Sequence, residues 1–130
     1  MPVKLNHLAL SVRDQQRSID FYARYFGFDP STARRYPDGV IIVHDSAGFA
    51  LALRPADGSD RAPSFPHFGF DLDAPEAARE LRARLLTDGI RLVEEEDTDA
   101  YVGFKCLDPD DHVIEVAWEP EEASPSTAPG

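Results

Sequence analysis

The sequence predicts an α+β fold built from two tandem copies of one unit, in the order strand, helix, strand, strand, strand. Three observations predict it. Two segments sixty positions apart, Asn6-His7-Leu8-Ala9-Leu10-Ser11-Val12 and Pro66-His67-Phe68-Gly69-Phe70-Asp71-Leu72, open alike. In each, a histidine begins an alternation whose every second residue is large and apolar, the period of a strand with one face on a core. Each segment is followed by a helix-start signal and an amphipathic stretch, and each helix by three short apolar runs separated by turn residues.

The elements follow in order. Leu8, Leu10 and Val12 share the core face of the first strand (about Leu5 to Val12), which puts His7 on the other face. Asp14 is a good N-cap for a helix over Gln15 to Phe26 with apolar Ile19, Tyr22 and Phe26, and Gly27 fits just past its end. A strand is expected within Phe28 to Tyr36 and a turn at Tyr36-Pro37-Asp38-Gly39. Strands over Val40 to His44 and Phe49 to Leu53 are joined by Asp45-Ser46-Ala47-Gly48. In the second copy His67 to Leu72 is a strand, with Phe68, Phe70 and Leu72 on the core and His67 opposite. Asp73 is expected to cap a helix with Pro75 in its first turn, Glu76 at the capping-box position, a stripe of Ala77, Leu81 and Leu85, and Gly89 at its end. Strands over Ile90 to Val93 and Tyr101 to Leu107 follow. Asp108-Pro109-Asp110-Asp111 turns the chain into Val113-Ile114-Glu115-Val116-Ala117-Trp118, where Glu115 faces away from Ile114, Val116 and Trp118. The acidic run Glu94 to Asp99 reads as a solvated loop. The modules are expected over about 4–54 and 65–119, within one domain spanning 1–119. A polar linker is expected at 55–64 and a disordered tail at 120–130.

At 130 residues the chain is one domain by size, and its net charge of -11 argues against nucleic acid or an anionic membrane as partner. No apolar run approaches a transmembrane length, and Met1-Pro2-Val3-Lys4 lacks the regions of a signal peptide. Cys106 is the single cysteine, so no internal disulfide forms, which fits the cytoplasm.

Two imidazoles at equivalent places and one carboxylate, all on strand faces turned from the core, are the donor set of an open metal site. His7-Leu8-Ala9-Leu10-Ser11-Val12, Arg17-Ser18-Ile19-Asp20-Phe21-Tyr22 with Gly27-Phe28, His67, and Asp108-Pro109-Asp110-Asp111-His112-Val113-Ile114-Glu115 together resemble the vicinal oxygen chelate superfamily. That superfamily includes glyoxalase I, extradiol dioxygenases, fosfomycin-resistance enzymes and bleomycin-binding proteins. The resemblance implies two βαβββ modules forming a curled mixed sheet around a cavity, with the helices on the outer face. It also implies that His7, His67 and Glu115 are the metal ligands, from one chain or across a module-swapped dimer. Asp111 replaces the usual glycine of the turn, which Asp tolerates in a left-handed conformation.

His44, on the strand face with Val40 and Ile42, is a candidate substrate contact or a partly exposed spectator. Lys105, alternating with Phe104 and Cys106, either points into the cavity to bind an anionic group or protects a sheet edge. Tyr101, Arg54 and Tyr36 are candidates for the pocket rim, His112 for a surface turn. Cys106 reads as a buried small hydrophobe.

Aligning the halves places Ala50 opposite Glu115, where glyoxalase I usually has a glutamate, which argues against that activity. A fosfomycin-type dianion would meet the acidic run, and the acid–base partners of classical extradiol enzymes are missing. The expectation is therefore a divalent-metal-dependent enzyme acting on a small oxygen-rich substrate, with dioxygenase or lyase chemistry slightly favoured. Fe2+ is the expected metal, with Mn2+, Zn2+ or Ni2+ also compatible. The alternative is a non-catalytic protein that sequesters a drug or metabolite. The resemblance also implies a homodimer.

Overall fold

The computed structural model describes residues 4–56 and 67–120. Most of the expected linker and all of the expected tail beyond Pro120 lie outside the described residues. The chain divides into two compact units, Met1–Ala62 and Pro63–Gly130, each carrying strand, helix and three strands. The α+β class and the repeated βαβββ order are those the sequence predicts.

In the first unit β1 (His7–Val12) is followed by α1 (Gln15–Phe26), β2 (Phe28–Arg35), β3 (Ile41–Asp45) and β4 (Ala50–Pro55). The sheet order is β1-β4-β3-β2, with β1 and β4 parallel and the other pairs antiparallel. The Asp14 side chain accepts from the Arg17 backbone N–H at 3.0 Å, and Gly27 closes the helix at φ 76°, the left-handed cap that glycine adopts without a Cβ penalty. Ile19, Phe21 and Tyr22 of α1 are buried, as are Leu10, Val12, Ile41, Val43, Leu51 and Leu53 of the sheet. Burying each such side chain is worth about 1.5–3 kcal/mol.

The second unit has β5 (His67–Asp71), α2 (Pro75–Thr87), β6 (Leu92–Asp97), β7 (Val102–Leu107) and β8 (Val113–Trp118), ordered β5-β8-β7-β6. β5 and β8 are parallel, the rest antiparallel. The buried stripe of α2 is Ala78, Leu81 and Leu85, one residue shifted from the expected Ala77. Its N-cap is Ala74, without a side-chain hydrogen bond, where the sequence pointed to Asp73. Proline at the first helical position sets the start instead, because its ring fixes φ and it has no N–H to satisfy.

The acidic run is the larger departure. It belongs to a strand, not a loop: Glu94, Glu95, Glu96 and Asp97 pair with Lys105, Phe104, Gly103 and Val102. Alternation separates the charges. Glu95 and Asp97 lie on the face of buried Phe104 and Val102, where Arg79 of α2 grips Asp97 through three contacts of 2.9–3.2 Å. Arg82 stands 3.6 Å from Asp97 and 3.8 Å from Glu95. Glu94 and Glu96 point to the opposite face. Arginines three apart on one helix face thus pair with acids two apart on one strand face.

Before β8 the turn is organised by Asp108, only 4% exposed, whose carboxylate accepts from the backbone N–H groups of Asp110 and His112. Asp111 adopts φ 67°, the left-handed conformation expected for the residue that replaces glycine.

Candidate metal and substrate site

Each sheet buries one face under its helix and leaves the other open, and every predicted site residue on a strand falls on an open face. On the first sheet, strand register lines up His7, Ala50 and His44 on one rung across β1, β4 and β3. The next rung is Ala9, Ala52 and Ile42. Oδ1 of Asn6 lies 2.7 Å from Nδ1 of His7. With Nδ1–H donating to that oxygen, Nε2 keeps a lone pair for a cation, the arrangement by which an outer partner orients a ligand imidazole. Arg54 reaches along its rung to the hydroxyl of Ser11. A shallow groove of about 510 Å³ lined by Tyr36, Pro37, Asp38, Val40 and Ile42 lies at the Tyr36–Gly39 turn.

On the second sheet, Gly69, Glu115, Lys105 and Glu94 form one rung, and Asp71, Ala117, Gly103 and Glu96 the next. Nε2 of His67 stands 3.4 Å from Oε1 of Glu115, with both side chains about one-third exposed. That is long for a hydrogen bond. It matches the roughly 3.0–3.6 Å separating two donors that each lie about 2.1 Å from one divalent ion, so this pair fits a metal. Gly69 makes room for the acid: a Cβ there would come within 3.0 Å of the Glu115 carbonyl oxygen and 3.5 Å of its Cβ.

Lys105 sits on a central strand of its sheet, so it is not an edge lysine. Its Nζ lies 2.7 Å from Oε2 of Glu94. The shared hydrogen bond raises the Lys105 pKa and lowers that of Glu94. The cation expected to bind an anionic group thus already has a carboxylate beside it. Tyr101 precedes β7, and its phenol pKa is raised, first by burial and then by Glu115, Glu96 and Glu119. Cys106 is buried and its thiol is pushed up to about 12, chiefly by desolvation, consistent with the reading of it as a core residue.

Register refines one comparison between the halves. His7 pairs with Ala50 and His67 with Val113, so the first-unit equivalent of Glu115 is Ala52, two residues along the same face. Both positions are alanine, so neither supplies a carboxylate. Within neither unit do three or more His, Cys, Asp or Glu among the described residues gather as a metal cluster.

Sequence reasoning missed Glu94 and Glu96 because it took the acidic run for a loop. Four acids in a row carry no two-residue alternation, so the strand shows only in its pairing with β7 and in the packing of Arg79 and Arg82.

Residues 4–116 match the family model for the Glyoxalase/Bleomycin resistance protein/Dioxygenase superfamily. The chain belongs to that superfamily. A trivalent organoarsenical cleaving enzyme of Bacillus sp. (strain MD1) is 30% identical over 90 residues, covering 68% of this chain and 53% of the relative. The chain thus spans about half the length of that curated relative. Among solved structures of the superfamily fold, a possible glyoxalase from Bacillus cereus has a TM-score of 0.74 at 24% identity, covering 88% of this chain and 98% of that one. The fosfomycin resistance protein FosX from Listeria monocytogenes has a TM-score of 0.75 at 18% identity, with 94% and 98% covered. FosX has also been solved with Mn(II) and a sulfate ion. No helix among the described residues is long and apolar enough to cross a membrane.

Proposed function

We propose that this chain is a divalent-metal-dependent enzyme that chelates a small oxygen-rich substrate, with His7, His67 and Glu115 as the metal ligands. The observation that supports it most is the His67–Glu115 separation of 3.4 Å on an open sheet face, close enough for two donors to share one cation. Asn6 supports the same role for His7 by orienting its ring.

A divalent ion bound there would supply Lewis-acid stabilisation of negative charge developing on substrate oxygens. The protein's own part is to hold that substrate. Lys105, Tyr101, His44 and Arg54 are the proposed substrate contacts, Lys105 and Tyr101 beside Glu115 on the second sheet, His44 and Arg54 on the open face of the first. Alanine at both 50 and 52 withholds a carboxylate as fourth ligand, which supports an open coordination sphere and favours dioxygenase or lyase chemistry, with Fe2+ as the metal. The organoarsenical substrate of the curated relative is not carried over. Trivalent arsenic is a soft, thiol-seeking centre, and the single cysteine here is buried and held protonated. A homodimer and a cytoplasmic location complete the proposal.

The test is metal content. Protein purified without added metal is assayed for Fe, Mn, Zn and Ni beside His7→Ala and Glu115→Gln. Stoichiometric metal in the wild type, lost in both variants, supports the site. A metal-free wild type whose variants bind added metal equally well overturns it, and leaves the sequestering protein. Light scattering that gives only a 14.4 kDa particle removes the dimer.

A further inference from the structure

Tyr101 and Gly103 have a relationship that no sequence pattern reveals. A Cβ at Gly103 would come within 2.6 Å of both Cε2 and Cζ of Tyr101, and closer still to its hydroxyl oxygen. The phenol therefore occupies the space that a side chain at 103 would fill. Gly103 has no left-handed φ, so the missing side chain serves space, not backbone conformation.

The ring's entry point is fixed. The backbone N–H of Tyr101 donates to Oγ1 of Thr98 at 3.1 Å, and its carbonyl accepts from the Thr98 N–H at 2.8 Å. The hydrogen bonds of Tyr101 among the described residues run through its backbone, which leaves the hydroxyl for a ligand. Gly103 points to the open face one rung from Lys105 and Glu115, about 7 Å along the strand. The floor beneath is small, being Gly103 and Ala117. A phenol with an ordinary pKa near 10 is a hydrogen-bond donor at neutral pH, set here among the acceptors Glu96 and Glu115.

We propose that Tyr101 orients the substrate on this face by donating a hydrogen bond to one of its oxygens, and that Gly103 is the positioning residue that seats the ring. The inference rests on the chelating role proposed above.

Acetohydroxamic acid, a two-oxygen chelator that binds a metal as its monoanion after releasing one proton to solvent, serves as the probe on Co2+-loaded full-length protein, followed in the visible bands of the metal. Tyr101→Phe and Gly103→Ala are each expected to weaken the probe roughly tenfold, the scale of one lost hydrogen bond, while Co2+ affinity stays within about twofold. In a Tyr101→Ala background, Gly103→Ala should cost nothing more, because there is no ring left to displace. The pairing also makes the double variant at least as well folded as Gly103→Ala alone. Full probe affinity in Tyr101→Phe overturns the proposal, and so does an equal loss from Gly103→Ala in the Tyr101→Ala background. If the wild type binds no Co2+, the metal reading fails by itself. The phenol is then tested on metal-free protein carrying 3-fluorotyrosine, where the resonance absent from Tyr101→Phe must shift with the probe. No shift overturns the inference.

Discussion

Nε2 of His67 lies 3.4 Å from Oε1 of Glu115, across the parallel seam between β5 and β8. The residues are not partners on one rung, since His67 pairs with Val113 and Glu115 with Gly69. They meet diagonally, and the absence of a side chain at Gly69 keeps that diagonal open. His67→Ala or Glu115→Gln should lower divalent-metal affinity by more than the roughly 10–100-fold that losing an outer partner costs. Gly69→Ala should lower it less, by crowding Glu115. Calorimetric titration with Mn2+ checks the order, and a Gly69→Ala loss equal to that of Glu115→Gln would sink this account.

The Arg79–Asp97 clamp makes stability depend on acid. Hydrogen bonding to Arg79 lowers the Asp97 pKa below its usual 3.8. The unfolded chain therefore binds more protons in this window than the native one, and the clamp's contribution is full above pH about 4 and disappears as pH falls through the lowered value. Asp97→Asn should lose stability at pH 6 and approach the wild type at pH 2.5, as read from urea melts at both. Because the clamp is exposed, high salt should shrink the difference.

Cys106 should be silent toward thiol reagents in the native protein. Its thiol is buried and pushed up to about 12, so almost no thiolate exists near pH 8. A chromogenic disulfide should titrate no thiol in native protein and one in urea. Rapid native labelling would contradict the packing of Cys106 on the buried face of β7.

Ser18 is fully buried in α1, and its hydroxyl has no hydrogen-bond partner among the described residues. Replacing it with alanine removes an unsatisfied polar atom and improves helix propensity. Ser18→Ala should therefore gain about 1 kcal/mol and raise Tm by a few degrees. Thermal melts showing a lower Tm would mean that the hydroxyl is satisfied in solution.

Asp111 adopts φ 67° at the turn into β8. Asp111→Gly should be neutral to stabilising by up to about 1 kcal/mol, whereas Asp111→Val should destabilise by about 1–2 kcal/mol through the Cβ clash of a left-handed branched residue. Urea midpoints of the two variants, moving in opposite directions, check this.

Alternation and capping by themselves determined the order of elements, the side of each strand on which His7, His67, Glu115, Lys105 and His44 lie, and the burial of Cys106. Those features depend on residues close in the chain, where a period of two or 3.6 leaves one arrangement that hides the apolar side chains. Tertiary structure decided the rest. Only a helix packed across the sheet could turn Glu95 and Asp97 from loop acids into strand residues held by Arg82 and Arg79. Only strand register could show that Ala52 matches Glu115, that Lys105 faces Glu94, and that Gly103 is vacant because Tyr101 fills its place. Each of these is a pairing between residues distant in sequence or folded back on each other, and the preference of one side chain says nothing about which partner will occupy the space beside it.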